Sequence, residues 1–161
     1  LRIAAWLHDT GKIATPPHIN DKATKLERII DGIELIEHRV EILKRDAKIE
    51  FLKNKIKCIE NDDLESLASF EEVFKKKLIL LDESLKLLSD VNIGGEDLAK
   101  DKLNQISKAH NETIVINNKI LNLLDDYEKN ALSIKKGTLN DDERNKINDV
   151  ATTLINFLTL Y

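Results

Sequence analysis

A single cysteine, Cys58, leaves no partner for an internal disulfide, so no disulfide scaffold holds this chain and a reducing, cytoplasmic setting is expected. Aromatic residues make up only 4% of the 161 residues, so any core has to be aliphatic. Two prolines and five glycines give few breaks, which favours long uninterrupted elements. No apolar run reaches the length needed to span a bilayer, and no leader peptide is visible at the start. Basic residues are also outnumbered, 25 against 29 acidic, for a formal net charge of -4. That balance argues against duplex nucleic acid, whose phosphates call for a basic face. Methionine is absent, and both ends read as apolar helix, so the chain is expected to be a piece of a longer protein.

What remains is abundant: 42% hydrophobic and 34% charged residues, arranged with helical period. Leu1 to Asp9 reads as a helix end stopped by Gly11, and Pro16-Pro17 marks a loop. Thr24-Lys25-Leu26-Glu27 has capping-box spacing and predicts a long helix from there to about Glu60. Its seam is Ile29, Ile33, Ile36, Val40, Leu43, Ala47 and Phe51, with the alternating steps of a coiled coil. Asp62 with Glu65 predicts the cap of a second long helix carrying Leu64, Leu67, Phe70, Phe74, Leu78, Leu81, Leu85 and Leu88. Glu41 with Arg45 and Asp82 with Lys86 are spaced for ion pairs along each helix. Gly94-Gly95 ends the second helix, and a third is predicted from about Glu96 to Asn111, with Ile114-Val115-Ile116 read as its frayed continuation and a short strand as the lesser alternative. The run Asp125-Asp126-Tyr127-Glu128 predicts the start of a short helix to about Ala131, and the capping box of Asn140 with Glu143 a last helix to about Leu160. The expected fold is all-α, with the two long helices as an antiparallel hairpin. The alternative for the same seam is a homodimer interface.

The chemistry-bearing residues lie in Leu7-His8-Asp9-Thr10-Gly11-Lys12. An imidazole and a carboxylate side by side suit a divalent metal of mixed coordination. Consecutive residues on a regular helix point about 100° apart, so the two converge only where the helix terminates. Gly11 supplies that terminus, and Lys12 adds a cation suited to a phosphate oxygen.

The stretch Ala4-Ala5-Trp6-Leu7-His8-Asp9-Thr10-Gly11-Lys12 resembles the metal-binding motif of HD-superfamily phosphohydrolases, in the HD-GYP branch, and the following Pro16-Pro17 fits that branch's loop. Gly137-Thr138-Leu139-Asn140-Asp141-Asp142-Glu143-Arg144 is similar to the segment that opens the branch's next helix. In the branch these segments are close in sequence; here a predicted helical hairpin stands between them. The resemblance implies an HD-domain-like helical fragment split by an insertion. Residues 1–23 would be its first part, 24–133 the inserted hairpin and 134–161 its resumption.

The resemblance further implies hydrolysis of a cyclic dinucleotide, cyclic di-GMP, in bacterial signalling. A divalent metal cluster of Fe, Mn, Mg, Ni or Zn would be held in part by His8 and Asp9, with Lys12 near the scissile phosphate. Two departures bear on this. The branch carries a metal-binding His after Ile-Asn-x, where Ile147-Asn148-Asp149 is followed here by Val150. Its remaining ligands fall outside the chain, so the isolated 161 residues are expected to be inactive. The alternatives are a degenerate HD module serving as a signalling or dimerisation element, and a generic HD nucleotidase. His18 is a weaker candidate for the site. His38 and His110 are expected to face solvent, and Cys58 to be a packing residue.

Overall fold

The computed structural model describes residues 16–27, 31–95 and 98–159, and they are largely helical. A single turn, α1 (Pro17–Asn20), precedes two long helices, α2 (Ile33–Glu60) and α3 (Leu64–Ile93). Then come α4 (Lys100–Asn111), a hairpin of β1 (Thr113–Ile116) and β2 (Lys119–Asn122), the short α5 (Asp126–Leu132) and finally α6 (Asp141–Thr159). None of these helices is long and apolar enough to cross a membrane.

α2 and α3 pack as an antiparallel pair. Lys44 bonds Asp82 at 2.7 Å, and the Phe51 and Phe74 rings stack with centroids 4.9 Å apart. One index rises as the other falls, as antiparallel packing requires. The expected seam is buried at Ile36, Val40, Leu43 and Ala47 on α2 and at Leu81 and Leu88 on α3. Asp63 caps α3 by accepting from the Ser66 amide, one residue later than the predicted Asp62 cap. Asp62 instead takes the left-handed conformation that turns the chain, with φ of 54°. The charges also pair differently from their spacing. Lys44 bonds both Glu41 and Asp82, tying Asp82 across the hairpin.

The core is concentrated at the open end of the hairpin. Leu88 and Val91 meet Ile106 and Ala109 of α4, Ile114 of β1, Leu123 and Leu124, and Ala131 and Leu132 of α5 in one buried cluster. Toward the tip the pair is thin, and Ile49, Ile56, Ile59 and Val73 are all more than half-exposed or nearly so. Cys58 is buried, in keeping with a packing role.

Two expectations are corrected. The long helix does not begin at Thr24. Glu27 does accept from the Thr24 amide, but the Thr24 hydroxyl donates to Asp31 at 2.8 Å and makes no helix cap. A capping hydroxyl spent on another side chain cannot satisfy the first free amides of a helix. The run after α4 is also no frayed helix. Thr113 to Ile116 pair antiparallel with Lys119 to Asn122, in the register Ile114 with Leu121 and Val115 with Ile120. β-branched side chains favour the strand, and Asn117-Asn118, at φ of 52° and 61°, supplies the left-handed turn that two-residue hairpins prefer.

Leu88→Ala is expected to cost about 2–5 kcal/mol, because the rigid cluster cannot collapse onto the cavity. Ile56→Ala, on the exposed face, is expected to cost under about 0.5 kcal/mol. Urea unfolding followed by circular dichroism separates the two; equal losses would show that the core does not lie at the open end.

Candidate functional site

His8, Asp9 and Lys12 lie outside the described residues; the described chain resumes after the motif at Pro16. Ile19 of α1 is buried and anchors this stretch. Three residues on, Lys22 is fully enclosed. Its Nζ donates to both carboxylate oxygens of Glu143, at 2.9 and 3.0 Å, across 121 positions of sequence.

Both ends of this pair are held in place. Glu143 also completes the cap of α6: its carboxylate accepts from the Asn140 amide at 2.9 Å, while Asn140 Oδ1 accepts from the Glu143 amide at 2.8 Å. This is the reciprocal capping box expected from Asn140 and Glu143. The Thr138 hydroxyl donates to the Lys22 carbonyl at 3.2 Å. Gly94 at the end of α3 comes against this loop so closely that a Cβ there would stand 3.1 Å from Thr138 Cγ2 and 3.2 Å from the Gly137 carbonyl oxygen. Its φ of 73° also suits glycine.

A second lysine works from beneath. Lys25 is buried, and its Nζ donates to the carbonyls of Leu132 and Ile134 at 3.2 and 2.9 Å, closing the C-terminal end of α5. Cations are favoured there because the last carbonyls of a helix lack internal donors. Asn92, buried at the end of α3, completes the stitching. It accepts from the Leu26 amide at 2.9 Å and donates to both oxygens of Asp31 at 3.0 Å, and its own carbonyl takes the Lys25 amide.

These residues escaped the sequence because Asp21-Lys22-Ala23-Thr24-Lys25 looks like a solvated charged stretch. Only the pairing of Lys22 with the already evident Glu143 cap could have flagged it. His110 also departs from expectation. It is buried, with Nδ1 at 2.9 Å from the Leu124 carbonyl and Nε2 at 3.7 Å from Asp126. Its partners come from the segment that follows the β-hairpin. His38 is exposed as expected. The His18 side chain lies outside what the structure describes.

For a metal, His8 and Asp9 give two neighbouring donors. Among the described residues no group of three or more His, Cys, Asp or Glu converges to hold an ion. Catalytic zinc centres use three protein ligands, so the adjacent pair does not complete such a centre. Comparisons with family models, curated proteins and solved structures return no match for this chain.

Lys22→Met strands the Glu143 carboxylate in a largely buried setting and is expected to cost about 3 kcal/mol or more. Lys22→Met with Glu143→Gln is expected to cost less than the sum of the singles, measured as a double-mutant cycle in urea; strict additivity would show that the pair is not coupled. Burial, and secondarily the charge of Lys102, hold the Lys25 pKa below its ordinary 10.5. Above that lowered value and up to 10.5 the unfolded chain binds more protons than the folded one, so the Lys25 contribution to stability rises with pH. Lys25→Met is expected to remove that rise, as read from unfolding free energies over the same alkaline range.

Proposed function

We propose that this chain carries part of an HD-type metal-dependent phosphohydrolase, with cyclic di-GMP as its substrate class, interrupted at residues 24–133 by a helical insertion. One observation carries the reading. The segment after the His8-Asp9 motif and the Gly137–Arg144 segment, which the resemblance pairs as neighbours, are joined through Lys22–Glu143 and Thr138–Lys22. The hairpin of α2 and α3 leaves and re-enters beside that junction, where Asn92 binds Leu26 and Gly94 touches Thr138. An inserted element built in this way leaves the two halves of the host in contact.

In this reading His8 and Asp9 are two ligands of a divalent metal centre, and Lys12 neutralises a phosphate oxygen. A bound metal would supply a hydroxide nucleophile and stabilise charge on phosphorus. The chain's own contribution in the described region is positional. The Lys22–Glu143 pair fixes the start of α6 against the loop that follows the motif.

A degenerate, interaction-only module is the second reading. Val150 at the expected His position and the exposed Ile49, Leu52, Ile56 and Ile59, spaced along α2 like a second coiled-coil seam, favour it.

Cleavage of cyclic di-GMP by the protein that carries this chain, supplied with Mn2+ or Fe2+, tests the first reading. His8→Ala is expected to lower the rate by about 100-fold or more, as loss of a ligand to a catalytic metal does. Equal rates in the variant and the parent, or no cleavage by either, would sink it. Analytical ultracentrifugation tests the second: a monomer at every concentration removes the dimer seam, whereas a dimer lost in Ile56→Glu supports it.

A further inference from the structure

A cleft of about 460 Å3 opens between α5, the loop after it and the start of α6. It is within the size range of small-ligand sites. Tyr127 and Ile134 give it an apolar wall, and Lys135, Lys136 and Arg144 give it positive charge. Asp141 is the acidic residue on its lining.

Most lysines of the described region stand without a carboxylate partner, and what sets Lys135 and Lys136 apart is their shared place on this cleft. Lys22, Lys44, Lys75 and Lys76 each reach a carboxylate. Lys135 and Lys136 are exposed, and neither ammonium group has a carboxylate partner among the described residues. Two adjacent unneutralised cations beside a guanidinium, in a chain of net charge -4, concentrate a local positive field.

The backbone under these cations is braced, and its acceptors are already occupied. Lys25 takes the carbonyls of Leu132 and Ile134, and the Leu98 amide takes that of Lys135 at 3.1 Å. Arg144 donates from Nη2 to the Lys136 carbonyl at 2.6 Å and from Nε to the Leu139 carbonyl at 3.2 Å. Gly137, at φ of 80°, permits the reversal between them. Five carbonyl dipoles that would oppose an anion are thus satisfied by donors. The site does not depend on the amides of Asn140 and Glu143, which serve each other's side chains in the α6 cap.

We infer that this cleft binds a nucleoside monophosphate. Its phosphate meets Lys135 and Lys136, its base lies on the Tyr127 and Ile134 wall, and the Asn130 side chain lines the same space as a donor and acceptor for a base edge. The site uses none of His8, Asp9 or Lys12 and goes beyond the phosphohydrolase reading. Its occupancy involves no metal and no bond cleavage, so its test fails or succeeds apart from that one.

The 161-residue chain, 15N-labelled and free of divalent metal, is titrated with 5′-GMP, guanosine and inorganic phosphate. Saturable amide shifts in residues 130–144 are expected with 5′-GMP, with weaker binding of phosphate and of guanosine. Lys135→Gln with Lys136→Gln is expected to weaken 5′-GMP binding by roughly tenfold or more, since charge-assisted contacts are the strong ones. Both positions are exposed, so the variant is expected to fold as the parent does. Lys75→Gln with Lys76→Gln, on the hairpin, is expected to leave binding unchanged. No saturation by about 10 mM, beyond the weak end of specific affinity, would overturn the assignment. So would equal binding by the Lys135/Lys136 variant, or phosphate binding as tightly as 5′-GMP.

Discussion

The buried pair between Lys22 and Glu143 is the constraint on which the described structure turns. It joins residues 121 positions apart, and around it the start of α6, the Thr138 loop and the end of α3 all take their places. Burying two charges is costly unless each finds further partners. Glu143 has one in the Asn140 amide, and the Lys22 ammonium meets both carboxylate oxygens. The same carboxylate therefore caps a helix and closes a long loop, so losing it would loosen local and long-range structure together.

Closing so long a loop is less costly than its length suggests. Closure entropy grows only logarithmically with loop length, by about 0.6 kcal/mol per doubling. Much of the intervening chain is the α2–α3 pair, whose contacts are largely between helices joined by a tight turn. That pair orders itself locally and delivers Asn92 and Gly94 back to where α2 began. The apolar cluster at its open end then makes the return rigid, while the tip stays thin and solvent-facing.

Polar groups do unusual work at that open end. Asn92, Lys25 and His110 are all buried, and each is bonded to backbone of a segment distant in sequence or beyond its own helix. Burial of such groups is tolerable only with satisfied partners, and no buried side-chain nitrogen or oxygen among the described residues lacks one. Aliphatic packing alone would let α5 and the loop after it slide. Directional bonds from Lys25 and Arg144 hold that loop in one conformation and leave Lys135 and Lys136 on its open side.

Much of the helical order was legible in the residues. The seam Ile36, Val40, Leu43, Ala47, the stop at Gly94, and the caps at Asp125 and Asn140 follow from period and local chemistry. Such features depend on neighbours within a turn or two, so a linear reading reaches them. The His8-Asp9 motif is legible as a pattern too, although it lies outside the described residues. Partners outside the expected element decided the rest. Thr24 has a cap's sequence but spends its hydroxyl on Asp31; Ile114 has a helix's apolar character but pairs with Leu121; His110 has a surface helix's polar setting but is buried against the Leu124 carbonyl beyond the β-hairpin. Lys22 and Lys25 look like ordinary solvated cations until the chain's return supplies a carboxylate and two helix-end carbonyls. Short-range order is written in adjacent residues, because the atoms that form it are adjacent. The fate of a polar side chain is settled only when folding brings up whatever will replace its water.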